Sequence, residues 1–378
     1  MIGVMICRDP SSALFVGLMA IALLLPVSES GNWFSQSGGN LLLILPALIV
    51  AGWSLLRSND LTAQTKLPGL LAFVATVLAA LPPLVLLENG VQPGFEGSGY
   101  WLFVLALGFF AWRAMGLLSH VIRAGRAYQL LVPTLFGLWF FYLWEVVVTG
   151  FGVPQILLPA PGVIGVAIGG HLDILWADFQ QTFMKAVLAG FVMGCGSGFV
   201  VAILVDRVPF LQRGLLPLGS LVSAIPIVGI APIMVMWFGF DWQSKAAVIV
   251  VMTFFPMLIN TLAGIDEAGA MEKDLMQSYG ASYFQTLISL RLPVALPFIF
   301  NALKINSTLA LIGAIVAEFF GTPIVGMGFR ISTEVGRMNV DMVWATIAVA
   351  ALAGSTFYGV FALLERIFTF WHPSYRQQ

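Results

Sequence analysis

The sequence predicts an all-α, polytopic membrane protein, and three observations carry that prediction. Of 378 residues, 59% are hydrophobic and only 9% are charged, with a mean hydropathy of +0.96. A soluble domain carries about 25% charged residues, so this chain lacks the polar surface to wrap a water-facing globule, and a soluble enzyme is excluded. Apolar runs long enough for a span of about 20 residues recur along nearly the whole chain. Finally, Leu14 to Val27 is apolar almost throughout, whereas the strands of a membrane barrel alternate apolar and polar residues.

Ten spans follow from the apolar runs between charged or turn-rich breaks. They lie at about 12–28, 40–56, 67–87, 100–118, 130–149, 184–205, 214–238, 246–263, 294–318 and 342–364. Cytoplasmic loops hold the excess of Lys and Arg. With the N-terminus inside, twelve basic residues fall on the inner side: Arg8, Arg57, Lys66, Arg113, Arg123, Arg126, Arg207, Arg213, Lys273, Arg291, Arg366 and Arg376. Four fall outside (Lys185, Lys245, Arg330 and Arg337) and Lys304 lies within a span, so both termini are expected in the cytoplasm. The first span also carries features of a secretory signal, but Asp9 sits in its basic region and Val27 to Ser30 is a poor cleavage site. An uncleaved helix is preferred.

The connector SHVIRAGRAYQ, residues 119–129, is the most basic in the first half. It marks a division between a four-helix N-terminal extension of unknown role (1–128) and a six-helix core (129–378). Other partners and chemistries drop out on charge and composition. A net charge of −1 offers no basic field for nucleic acid. Cys7 and Cys195 are poor candidates for a disulfide, and the three histidines are isolated, so no cofactor or metal is expected.

Residues 265–292 are too polar to span. Ile265, Ala268, Met271, Leu275 and Tyr279 recur at spacings of three and four, which places them on one stripe of a short amphipathic helix. Gly280 supplies a residue free to take positive φ at its end, and Ser282 with Gln285 fits a capping box for a second helix. Pro293 predicts a break before the next span. Periodicity alone leaves open an interfacial loop resting on the bilayer.

The spacing of Gly280, Leu290, Leu292 and Pro293 fits the cytoplasmic signature EAA-x3-G-x9-I-x-LP, with Asp274, Leu275 and Met276 in its degenerate opening. With PIVGIAPIMVMWFGF (226–240), FFPMLINTLAG (254–264), YGASYFQTLISLRLPVALPFIFNALK (279–304) and LIGAIVAEF (311–319), residues 130–370 resemble the ABC importer permeases for nitrate, taurine, sulfonates and pyrimidine precursors. The endings GRMNVDMVWA and TFWHPSYR look more like the pyrimidine-precursor branch. The resemblance implies a type I permease core that works as a pair, with separate ATPase subunits below and an extracytoplasmic substrate-binding protein outside. It implies that Asp274, Leu275, Gly280, Ala281, Ser282, Leu292 and Pro293 form the ATPase-coupling loop. No lysine of the chain follows a glycine, so a Walker A motif is absent and ATP hydrolysis, if used, falls to another polypeptide.

Charge inside hydrocarbon costs about 2.5–3.5 kcal/mol at a helix centre, which makes Glu145, Lys304 and Glu318 candidates for the pathway. Lys304 lies eleven positions after Pro293, roughly 16 Å along a helix. Lys304 and Glu145 either face the pathway or pair with each other; alternatively Lys304 is held in a static salt bridge or snorkels to water. Gly190, Gly194 and Gly198 form a packing stripe. Pro226, Pro232 and Pro256 predict kinked helices, and Met234, Met236, Trp237 and Phe238 are either a gate or a lipid and packing surface. The stretch 150–176, with Pro154, Pro159 and Pro161 and no Lys or Arg, is not expected to span; it either lies along the outer surface, where a binding protein could dock, or only connects distant helices. Rival readings are an ion-coupled secondary transporter, which predicts internal repeats that are not evident, and a membrane enzyme, which predicts a reactive cluster that is not evident either.

Overall fold

In a computed structural model the described residues are helical nearly throughout. The structure describes residues 10–29, 31–36, 38–56, 67–121, 130–208, 210–211, 214–215, 217, 219, 225–321 and 323–370. Most of the basic connector and Trp371 therefore lie outside the described residues, as do Arg8, Arg57, Lys66, Arg123, Arg126, Arg213 and Arg376. The Cα framework divides into two compact units, residues 1–163 and 164–378.

The first unit contains α1 (Pro10–Leu24), a two-stranded hairpin of β1 (Pro26–Ser28) and β2 (Gly31–Asn32), α2 (Leu45–Leu56), α3 (Leu67–Glu88), α4 (Ser98–Val121) and α5 (Leu131–Gly150). Its core is aromatic: Phe15, Trp33, Tyr100, Phe103 and Phe110 are fully buried, with Trp33 stacked on Phe103 at 4.4 Å. Two indole N–H groups of this core find backbone acceptors, which satisfies them away from water. Trp33 Nε1 donates to Gly99 O (3.3 Å) and Trp101 Nε1 to Gly94 O (2.7 Å). α5, which the sequence assigns to the core half, packs against α3 and α4 in this first unit.

α6 (Pro161–Gly170) crosses the division at residue 163. The second unit continues with α7 (Leu172–Phe179), a π-helical stretch (Gln180–Val187), α8 (Leu188–Arg207), α9 (Ile227–Phe238), α10 (Trp242–Asp266), α11 (Ala270–Ser278), α12 (Tyr283–Thr286), a second π stretch (Leu287–Arg291), α13 (Leu292–Glu318), α14 (Met327–Gly336) and α15 (Val340–Phe368). α10 is central, packed on α8 and on α13. The glycine stripe explains the first contact: a Cβ on Gly190 would lie 2.6 Å from Ile249 Cβ, and one on Gly198 would lie 3.0 Å from Met257 Cβ. A Cβ on Gly194 would strike Thr253 Oγ1. Without side chains there, two backbones approach closely and gain dispersion contacts that lipid cannot supply.

Among the described residues, seven helices are long and apolar enough to cross a membrane: 69–88, 98–118, 131–150, 172–207, 242–266, 283–318 and 340–368. The other three expected spans contain shorter helices, α1, α2 and α9. The stretch 150–176 holds α6 and the start of α7. Two local expectations change. The helix of the sixth span begins at Leu172 rather than near 184, and its buried polar residues Asp178, Gln181 and Thr182 are bonded within this unit. The chain also does not break before Pro293. The ladder slips to a π register, with Leu292 N–H donating to Leu287 O, and the helix passes through the proline.

Candidate coupling loop and the charged groups of the spans

The expected helix, corner and helix are present at residues 270–286. α11 ends in a Schellman arrangement: Gly280 has φ +73°, its N–H donates to Gln277 O (2.9 Å), and Ala281 N–H donates to Met276 O (3.0 Å). Two residues later Ser282 caps α12 in a reciprocal box with Gln285, whose Oε1 accepts from Ser282 N–H at 2.7 Å. The chain therefore turns at a corner with its backbone groups satisfied.

Of the predicted stripe, Ile265 and Ala268 are buried while Met271, Leu275 and Tyr279 are exposed, at 82%, 56% and 84%. No residue of α11 is buried, and Asp274 is exposed beside the stripe. Among the described residues nothing buries this stripe, which leaves an exposed apolar surface on α11. A Cβ on Gly280 would meet nothing within 4 Å, so the corner too is open. Leu292 and Pro293 are half-buried at the root of α13.

That root is fastened by groups the sequence did not single out. Arg291 grips Asp206 at the end of α8 through two bonds, Nη1 to Oδ2 at 2.8 Å and Nη2 to Oδ1 at 2.7 Å. Its Nε donates to Ile265 O at the end of α10 (3.2 Å), and Asp266 lies 3.5 Å from Nη2. Tyr283 donates its hydroxyl to Asp206 Oδ2 (2.7 Å), and the Arg207 guanidinium lies 5.5 Å from the ring centres of both Tyr283 and Phe284. The signal available in sequence was a basic residue just before Leu-Pro and an acidic one ending a span. Nothing in sequence joined them across 85 positions.

The intramembrane charges have separate partners. Lys304 on α13 meets Glu365 on α15 at 2.6 Å, with side chains 16% and 9% exposed. Glu145 accepts from Gly162 N–H (2.7 Å) and weakly from Thr149 (3.5 Å). Glu318, at the end of α13, accepts from Thr182 Oγ1 (2.7 Å) and Gly328 N–H (2.6 Å). Thr182 in turn accepts from Met327 N–H (2.7 Å), and Asp178 accepts from Gly326 N–H (2.8 Å). Two carboxylates and a hydroxyl thus cover the amides that open α14, the favoured place for negative charge on a helix.

Arg330 closes this cluster, donating to Asp178 Oδ2 at 2.8 Å, and that bond holds its guanidinium even more basic than usual. Beside it, Lys245 is buried with its ammonium donating to the carbonyls of Phe240 (2.6 Å), Asp241 (3.2 Å) and Gly321. The Gln181 amide (2.7 Å) and the Trp242 N–H (2.8 Å) both donate to Asp241 Oδ1 and hold that carboxyl below its ordinary range.

Of the expected gate residues, Pro226 precedes α9 in an extended conformation and Pro232 lies inside it. Met234 packs against the Ala231, Val248 and Ala317 cluster, while Trp237 is 71% exposed. Pro232, Met234 and Trp237 share one helix, whose exposed side bears Met236 and Phe238 as well.

A helical bundle with long apolar helices, an intervening polar loop with an exposed apolar stripe, and buried charges each met by an ion pair or by hydrogen bonds defines a multi-pass membrane protein. Residues 186–369 match the family described as binding-protein-dependent transport system inner membrane component. The chain is 33% identical over 250 residues to the formylaminopyrimidine transport permease protein ThiX of Halalkalibacterium halodurans, covering 65% of this chain and 98% of that one. It is 30% identical over 233 residues to the riboflavin transport system permease protein RibX of Chloroflexus aurantiacus, covering 61% and 86%. It is 29% identical over 212 residues to the taurine transport system permease protein TauC of Escherichia coli, covering 56% and 74%. The chain belongs to this family: it is the inner-membrane permease subunit of an ABC importer, which operates with ATPase and substrate-binding partners.

Proposed function

We propose that residues 265–293 are the element through which an ATPase subunit drives this permease, and that the cargo is a small organic or oxyanion solute of the kind named for its relatives. The observation that carries the first part is the exposed Met271, Leu275 and Tyr279 stripe leading into the open Gly280 corner. In this reading the loop and both termini are cytoplasmic, as the distribution of Lys and Arg supports. Asp274, Leu275, Gly280, Ala281 and Ser282 face a groove on the ATPase, and Leu292 and Pro293 join the loop to α13. Nucleotide-driven closure of the ATPase displaces the loop and, with it, the attached spans, so that access to the pathway alternates. ATP is hydrolysed on the partner and not on this chain.

The working permease is a pair of these chains. Pro226 together with Pro232, Met234 and Trp237 of α9 is the candidate gate, and residues 1–128 form an extension to the transport core. The pairings of Lys304 with Glu365 and of Glu318 with the start of α14 support an architectural role for both charges, while Glu145 caps the turn at Gly162.

The test is Gly280→Trp. A Cβ at this corner meets nothing within 4 Å among the described residues, so the bulk of an indole is aimed at a partner, apart from a φ strain of about 1 kcal/mol. Co-purification of the ATPase and uptake of labelled formylaminopyrimidine, riboflavin or taurine should be lost while membrane insertion is unchanged. Gly280→Ala carries the same strain without the bulk and should retain association. Normal co-purification with Gly280→Trp overturns the coupling reading.

A further inference from the structure

α11 has no buried residue, so packing does not hold it against the bundle. Its connection to the spans is made at its two roots, the end of α10 and the start of α13, which are its neighbours along the chain. The described side chains add a third attachment. Asp206 ends α8, which is not joined to the loop in sequence, and its carboxylate is taken by the fork of Arg291 and the hydroxyl of Tyr283.

The geometry favours rigidity. Two parallel N–H to oxygen bonds fix both the distance and the plane of the pair, which a single point charge does not. Asp206 and Arg291 side chains are only 7% and 15% exposed, so water competes little for them. A further guanidinium donor, Nε, is used on Ile265 O, so one side chain ties three helix ends together. Among the described residues, the ion pairs of Arg291 with Asp206 and Asp266 are the ones found where α8, α10 and the α12 segment meet. α8 is also the helix whose Gly190, Gly194 and Gly198 lie against α10, so displacement of its end is passed into that close backbone contact.

We propose that Asp206 and Arg291 are positioning residues for transport: they clamp the coupling loop to α8, so that movement delivered to the loop is imposed on a third span as well as on the two that adjoin it. This rests on the coupling reading above. The loop and the end of α8 then travel as one body through the ATPase cycle.

The test uses the permease with its ATPase in nanodiscs, with Cys7→Ser and Cys195→Ser and spin labels at Met271→Cys and Leu204→Cys, both exposed positions. The distance between labels is measured without nucleotide and with ATP and vanadate. With the clamp intact, one narrow distribution with the same mean is expected in both states. With Asp206→Asn or Arg291→Gln, the ATP and vanadate distribution should broaden at least twofold while the ATPase stays bound. The exchange Asp206→Arg with Arg291→Asp should narrow it again.

A mean that shifts with nucleotide while the clamp is intact overturns the proposal, and so does wild-type width in both single variants. If those variants fail to insert, Arg291→Lys decides, because it keeps the charge and gives up the fork: broadening supports the clamp and unchanged width overturns it. A loop that binds no ATPase is detected separately by Gly280→Trp and removes the coupling reading and the clamp together. A loop that binds ATPase but moves independently of α8 removes the clamp alone.

Discussion

Lys304 and Glu365 illustrate how a charge is kept inside a span. Each is nearly sealed from solvent, and at 2.6 Å each answers the other's charge. Removing one partner strands the other, which typically costs about 3–5 kcal/mol, whereas replacing both by apolar groups of similar size is often neutral. Lys304→Met and Glu365→Leu should each lower the thermal unfolding temperature in detergent, and the double variant should recover most of the loss. Additive losses in the double variant would show that the two do not act as a pair. Asp241 responds to pH for a different reason. Hydrogen bonds from Gln181 and Trp242 lower its folded pKa, so its contribution is present above the ordinary carboxylate value of about 4 and disappears as pH falls through the depressed value. Thermal stability should therefore fall below pH 4, and Asp241→Asn should make that fall shallower. An identical pH profile in the variant would contradict the assignment. The partners of these residues were hidden in the sequence for a simple reason: Lys304 and Glu365 are 61 positions apart, and Asp178 and Arg330 are 152 apart. Composition shows that a buried charge needs a partner, and only the fold says which.

At the scale of the element, the contact of α8 with α10 depends on absent side chains. A branched side chain at Gly194 would meet the Thr253 hydroxyl and the Val250 backbone, with Val250 Cα 3.0 Å from the first added carbon. Backbone cannot yield as a flexible side chain does, so the helices must separate and lose dispersion contacts along their length. Gly194→Val should yield little folded protein by size-exclusion chromatography, while Gly196→Ala, where a Cβ meets nothing within 4 Å, should behave as wild type. This stripe was legible beforehand because a four-residue spacing is a local property of one helix. So were the Gly280 corner and the Ser282 capping box, which depend on residues one to five positions apart. The passage of the helix through Pro293 was not. Local rules assign a proline a break, and the π register that absorbs it needs neighbouring helices to hold the strained turns in place.

For the molecule as a whole, the class was legible from hydropathy because the bilayer leaves so few solutions for a chain this apolar. The division into parts was harder to read. The sequence marks a boundary near residue 128 by charge, while compactness divides the chain at 163. The 250 residues shared with ThiX nearly fill that relative, leaving about a third of this chain without a counterpart in it. The second unit also holds two spans with extra turns, at Gln180–Val187 and Leu287–Arg291. A π turn amounts to one surplus residue in the ladder, and one residue is about 100° of rotation in an α-helix. The direction in which the loop's apolar stripe points, relative to the face α13 buries, is therefore fixed by a count of residues rather than by their identity. Nearly any side chain on the exposed side of Leu287–Arg291 is replaceable, but losing one position there would swing the whole appendage about a quarter of the way round its stem.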